Sequence, residues 1–220
     1  MTQMVLYKYK SLGKFDEVSD LLLTKRLYCP TPSQLNDPLE GVLGIDINEE
    51  LREQNIDDKF AKSHEYWTDH LNRLNNYRVC SFSKDPSSIL MWSYYGAGHS
   101  GMCLEIDITE YSHNIHKISY VSALDCTNNR SPIDLLTHKL DAWSHEKEYR
   151  WISDENPSFK FLRASIQKVL IGASVDTKLF RPFFEMCAIM DIQIEIASFN
   201  TSGELSRFPL KKGVRWDELA

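Results

Sequence analysis

The chain opens on MVLYKY (4–9), a short apolar and aromatic run that reads as a strand. Apolar residues then recur at helical spacing, at Val18, Leu21 and Leu22, and predict a helix over Asp16 to Lys25. A brief strand at Leu27 to Cys29 is stopped by Pro30 and Pro32. Asn36-Asp37-Pro38 reads as a turn, because Asn and Asp fold back on their own backbone and Pro fixes φ. Residues 48–76 are mostly polar, with Leu51, Ile56, Phe60, Tyr66, Trp67, Leu71 and Leu74 interleaved, which predicts one or two surface helices forming an insertion or cover. Strand patterns return at Tyr77 to Phe82 and Gly101 to Ile108, separated by a short helix from Pro86 to Tyr95 that starts near Asp85 or Ser87. His116 to Val121 predicts a strand, Ile133 to Trp143 a helix, and Glu148 to Ile152 a strand. Ile166 to Ile171, Leu179 to Met190 and Ile192 to Ala197 give strand, helix and strand, and residues 200–220 read as an edge strand or tail. Strands alternating with helices of unequal length predict an α+β fold, a mixed sheet with flanking helices, in one domain over residues 1–220.

Composition adds a core and removes several function classes. With 42% hydrophobic and 11% aromatic residues, the chain can bury a substantial interior. A formal net charge of -6 excludes a protein that grips nucleic acid over its whole surface, though it leaves room for a local basic groove. Cys29, Cys80, Cys103, Cys126 and Cys187 are odd in number and lack any CxxC pair, which points to reduced thiols rather than a disulfide framework or a zinc site. No apolar run approaches the roughly 18 residues of a membrane span. These features together predict a cytoplasmic protein without membrane contact.

The densest chemistry lies in LMWSYYGAGHSG (90–101), which combines three large aromatics, three glycines, two serines and a histidine. A planar ligand could lie on Trp92 or Tyr95, with His99 nearby and anionic oxygens on the amides of Gly96, Gly98 and Gly101. The same residues would also serve as an aromatic core face with a Gly-rich exit. GAGHSG is neither a P-loop, since it lacks the Lys, nor a dinucleotide fingerprint, since its glycines precede a strand. The second constellation is WSHEKEYR (143–150), where strand alternation would put Glu146, Glu148 and Arg150 on one face. Three charges in a row are either solvated or held together in a cleft. In a cleft, one carboxylate could oppose a developing cation while the arginine orients it or binds phosphate. Weaker signals are Lys8 and Tyr9, then Asn36, Asp37 and Glu40, and the alternating hydroxyls of Ser81 and Ser83. His113, His116, His138 and His145 show no metal-like spacing, and no metal is expected.

The order of LYKYKS (6–11), LYCPTPSQLNDPLEG (27–41), VCSFSKD (79–85), LMWSYYGAGHSGMCLEID (90–107) and WSHEKEYRWI (143–152) resembles the bacterial DUF2971 family over about residues 5–152. The layout is also similar to that of ADP-ribosyltransferases, with an early basic strand residue, a middle serine strand and a late Glu-x-Glu. That similarity implies a split β-sheet whose cleft binds NAD as substrate. Glu148, Glu146 and Lys8 would be catalytic, and Tyr9, Asn36, Ser81, Ser83, Trp92, Tyr95, His99 and Arg150 would hold the nucleotide. An early His or Arg common in that superfamily is absent here, and Lys8 is the candidate substitute. The function implied is an NAD-dependent ADP-ribosyltransferase-like enzyme, a phage-defence effector or toxin acting on a protein or nucleic-acid acceptor. The rival is a non-catalytic nucleotide-sensing or protein-interaction module of a bacterial defence system. A nuclease would instead draw metal ligands from Glu105, Asp107, Glu146 and Glu148.

Overall fold

The computed structural model describes residues 3–37, 39, 72–124, 131–153, 156 and 158–210. Most of the expected helical cover (48–71), the last ten residues of the expected tail, Glu40 and Cys126 lie outside the described residues.

The first strand runs through the middle of the main sheet. β1 (Val5–Lys10) pairs antiparallel along its whole length with β4 (Met102–Asp107), from Val5↔Asp107 to Lys10↔Met102. Beyond β4 lie β10 (Ser165–Gly172), antiparallel to it, then β11 (Gln193–Phe199), parallel to β10, and β12 (Leu205–Pro209) at the edge. On its other side β1 meets β3 (Val79–Ser83) through a single register pair, Tyr7↔Ser83. β3 continues antiparallel into β8 (Glu148–Ile152) and then β5 (Ile115–Lys117). Two small ladders join β2 (Arg26–Tyr28) to β9 (Phe161–Arg163), and β6 (Ser119–Val121) to β7 (His138–Leu140). The architecture is α+β, built among the described residues on an eight-stranded mixed sheet.

Strand alternation divides the core between the two faces of this sheet. Leu6, Leu104, Ile106, Val169, Ile171 and Ile194 belong to one cluster with Val18, Leu21 and Leu22 of α1 (Phe15–Thr24). The same cluster takes Phe180, Phe183, Phe184 and Cys187 of the last helix, α4 (Thr177–Ile189), whose i, i+3, i+4, i+7 spacing makes one apolar stripe. On the opposite face Tyr9, Cys103, Leu170 and Ala197 pack under Met91 and Trp92 of α2 (Ile89–Tyr94). Helix starts follow the side chains: Ser88 accepts from the Met91 amide at the start of α2, and Asp176 accepts from the Lys178 amide at the start of α4.

Two expectations are corrected. The stretch 133–143 is not one helix but α3 (Pro132–Leu136), then β7, then a 3₁₀ segment, Asp141–Glu146. The Asp134 carbonyl, which a longer helix would offer to the His138 amide, instead accepts from the Thr137 amide at 3.3 Å and the Thr137 hydroxyl at 3.2 Å, and contacts His138 Nδ1 at 2.6 Å. The chain then turns to pair with β6. Likewise 116–121 is two strands in different ladders, broken at the buried Ile118. β9 has no counterpart in the sequence pattern. No helix among the described residues is long and apolar enough to cross a membrane.

Candidate functional site

Past Tyr7↔Ser83 the ladder between β1 and β3 stops, although both strands continue. In its place the Lys8 ammonium reaches across and donates to the Ser81 carbonyl at 2.7 Å. The gap forms a cleft of about 560 Å³ lined from both faces of the sheet. Lys8 and Lys10 alternate with Tyr9 along β1, while Ser81, Ser83, Glu148 and Arg150 share one face of β3 and β8 through the pairs Ser81↔Arg150 and Ser83↔Glu148. Tyr95, Asn36, Lys139 and Glu146 complete the wall beside them.

The deep end is a neutral cluster of two carboxylates and two cations. Arg150 donates to Glu148 through Nε at 2.7 Å and Nη2 at 3.0 Å, and through Nη1 to the Leu136 carbonyl at 2.8 Å. The Lys139 ammonium bridges Glu146 at 2.6 Å and Glu148 at 3.1 Å. Tyr95 donates its hydroxyl proton to Glu146 Oε1 at 2.6 Å and accepts from Asn36 Nδ2 at 2.6 Å. The Glu148 amide donates to the Tyr120 hydroxyl, and Ser83 donates to the Glu146 carbonyl. All four charged side chains are nearly sealed, with Arg150 at 1% and Glu146 and Glu148 at 4% exposure. For Glu148, burial favours the neutral form, but the Arg150 charge and hydrogen bonds, with Lys139, outweigh it and hold the carboxyl at about 2. Lys139 is desolvated too, and the two carboxylates nevertheless raise its affinity for the proton. Burial and the hydrogen bond to Glu146 push the Tyr95 hydroxyl up, so it stays protonated as a donor.

Glu146 does not lie on the strand, as simple alternation would have it. It ends the 3₁₀ segment, and Lys147 follows in a left-handed conformation, φ 45°. That turn brings Glu146 back alongside Glu148, where Lys139 holds both. The left-handed backbone here is carried by a residue with a Cβ, and the Lys147 ammonium ties outward to Asp85 at 2.8 Å.

Of the residues read from the sequence, Lys8, Tyr9, Asn36, Ser81, Ser83, Tyr95, Glu146, Glu148 and Arg150 line this one cleft. Asp37 makes the expected turn, accepting from the Leu39 amide at 2.9 Å. Trp92 and His99 do not line the cleft and are corrected. Trp92 is 1% exposed, packed edge-on to Tyr9 and His99, and donates to the Pro86 carbonyl at 2.9 Å. His99 sits between Trp92 and Phe199. The glycine amides are not open to an anion either, since those of Gly96, Gly98 and Gly101 bond to Met91, Ser93 and Gly96. Gly96 and Gly101 serve close packing: a Cβ on Gly96 would sit 2.8 Å from the Trp92 ring and carbonyl, and one on Gly101 2.4 Å from the Lys10 carbonyl. The nuclease set is dispersed, with Glu105 held by Arg207 and Asp107 by Thr109 and Gln3. Among the described residues no group of His, Cys, Asp and Glu is placed to hold a metal ion.

Lys139, Lys10, Lys14 and Tyr120 were not legible as site residues. Lys139 stands in a stretch whose helical period hid its strand, and its partners lie seven and nine residues on. Comparison with family models, curated proteins and solved structures gives no match to this chain.

Proposed function

We propose that the cleft binds NAD and that the protein is an ADP-ribosyltransferase-like enzyme of the DUF2971 type, acting as an effector or toxin in bacterial defence against phage. The observation that carries this reading is the buried Glu146, Glu148, Lys139 and Arg150 cluster at the end of a cleft. Four desolvated charges cost stability relative to an apolar replacement, so their retention at a concave site supports a chemical role. The opening between β1 and β3 supports the split-sheet arrangement that such an enzyme uses.

In this reading the glycosidic bond to nicotinamide breaks, its electron pair leaves with nicotinamide, and the acceptor attacks the ribosyl carbon and gives up its proton to water. Glu148, held ionised, opposes the positive charge that develops on the ribose. Its low proton affinity makes it a poor general base, so its contribution is electrostatic. Tyr95 and Lys139 fix Glu146 beside it. Nicotinamide release from NAD in the presence of cell lysate tests this. Glu148→Gln is expected to lower the rate by about 100-fold or more, and a wild-type protein that binds NAD without releasing nicotinamide would rule the enzyme out.

One observation favours a nucleotide sensor instead: both carboxylates already have protein cations as partners before any ligand arrives. A sensor would be stabilised by an unaltered nucleotide, by about 2.7 kcal/mol at 100 times its dissociation constant.

A further inference from the structure

The two ends of the cleft differ in charge. At the deep end cations and carboxylates balance, whereas at the other end, among the described residues, Lys8, Lys10 and Lys14 line the cleft with one carboxylate, Glu17. Lys8 is engaged by the Ser81 carbonyl, and Lys14 pairs with Glu17 at 2.9 Å. Lys10 is left over. Its side chain is 30% exposed, its nearest carboxylate oxygen is Glu17 Oε2 at 4.0 Å, and among the described residues its ammonium makes no hydrogen bond. Burial, with the like charge of Lys8, lowers its proton affinity. Beside it α1 begins without a side-chain cap, so its first-turn amides have no side-chain acceptor. A half-buried ammonium flanked by two others, next to uncapped helix donors, is an arrangement that an entering anion would stabilise.

We propose that this end of the cleft is a phosphate subsite centred on Lys10, with Lys14 at its rim. The cleft then takes a phosphorylated nucleoside whose phosphates lie against α1 and whose sugar extends through the β1–β3 opening toward Glu146 and Glu148. The proposal rests on the nucleotide-binding reading of the cleft and is independent of whether the bound nucleotide is cleaved.

Calorimetric titration of ADP, inorganic pyrophosphate and adenosine into the whole protein tests it, at one fixed ionic strength. ADP is expected to bind the wild type and to be displaced by pyrophosphate. Lys10→Gln should weaken ADP by about tenfold, the loss of one charge-assisted hydrogen bond, with Lys10→Arg restoring it. Adenosine should bind wild type and Lys10→Gln alike. Lys25→Gln, at the far end of α1, controls for a general charge effect and should leave ADP affinity unchanged. Absence of ADP binding, equal ADP affinity in Lys10→Gln, or failure of pyrophosphate to compete would each overturn the subsite. Lys10-dependent ADP binding without nicotinamide release from NAD would keep the subsite and remove the transferase reading, and nicotinamide release insensitive to Lys10→Gln would do the reverse.

Discussion

Glu148 loses its contact with water on folding and gains Arg150 and Lys139, and the second change is the larger, so its carboxyl is held at about 2, below the ordinary glutamate value of 4.5. Between those values the unfolded chain takes up a proton that the folded protein refuses. The contribution is therefore complete above the unfolded value and is lost as pH falls through the folded one, a difference on the order of 3 kcal/mol. Glu148→Gln is expected to be less stable than wild type at pH 7, and the gap in urea midpoint should narrow as the solution is taken to pH 3; a constant gap would contradict this account. Lys139 offers a second handle. Removing it leaves Glu146 and Glu148 side by side with Arg150 as the remaining cation, while Tyr95 still donates to Glu146 and Tyr120 still accepts from the Glu148 amide. Two carboxylates sharing one cation hold a proton more tightly than two sharing a pair. Lys139→Met should raise at least one Glu titration in carboxyl NMR by about one unit or more and destabilise the fold by about 3 kcal/mol. Lys139→Arg should return the titration toward wild type.

The turn between α2 and β4 separates two effects that glycine can have. Ala97, Gly98 and His99 all take left-handed conformations, at φ 52°, 64° and 67°. A Cβ on Gly98 meets nothing within 4 Å, so Gly98→Ala carries backbone strain alone, about 1 kcal/mol. A Cβ on Gly172 would lie 2.0 Å from the His99 carbonyl, which is backbone and cannot swing away. Gly172→Ala is expected to cost about 3 kcal/mol, and thermal melting of the two variants should show the larger loss at 172. This close approach explains why Trp92 and His99 lie outside the cleft that Tyr95 of the same run lines: Trp92, His99 and Phe199 interlock around it. Elements whose pattern arises from their own burial were legible, as in α1, β8, β10, α4 and β11. β7 was not, because Leu135, Leu136, Lys139 and Leu140 fit a helical period and only partners distant in sequence pull 138–140 into a strand. Within the cleft, Glu148 and Arg150 followed from alternation, whereas Lys10 and Lys139 carry no local mark. Their role is set by what the sheet order brings near them.

At the scale of the whole molecule, the sheet is continuous in hydrogen bonding from β12 to β5 yet held across its middle by one register pair. The half from β1 to β12 carries α1 and α4, and the half from β3 to β5 carries the charged cluster. Binding at the gap therefore touches both halves at once. Lys8 stands in that gap like a spacer between two plates, its ammonium taking the carbonyl that a neighbouring strand would otherwise claim. With Lys8→Ala the Ser81 carbonyl loses that donor and the two strands are free to zip further. Global stability should stay within about 1 kcal/mol of wild type, since a backbone hydrogen bond replaces the one removed, while nucleotide affinity falls. Calorimetry beside thermal melting checks this, and a destabilised variant with unchanged affinity would count against it. The width of the cleft is then the reach of one lysine, and closing the sheet would need only a shorter side chain.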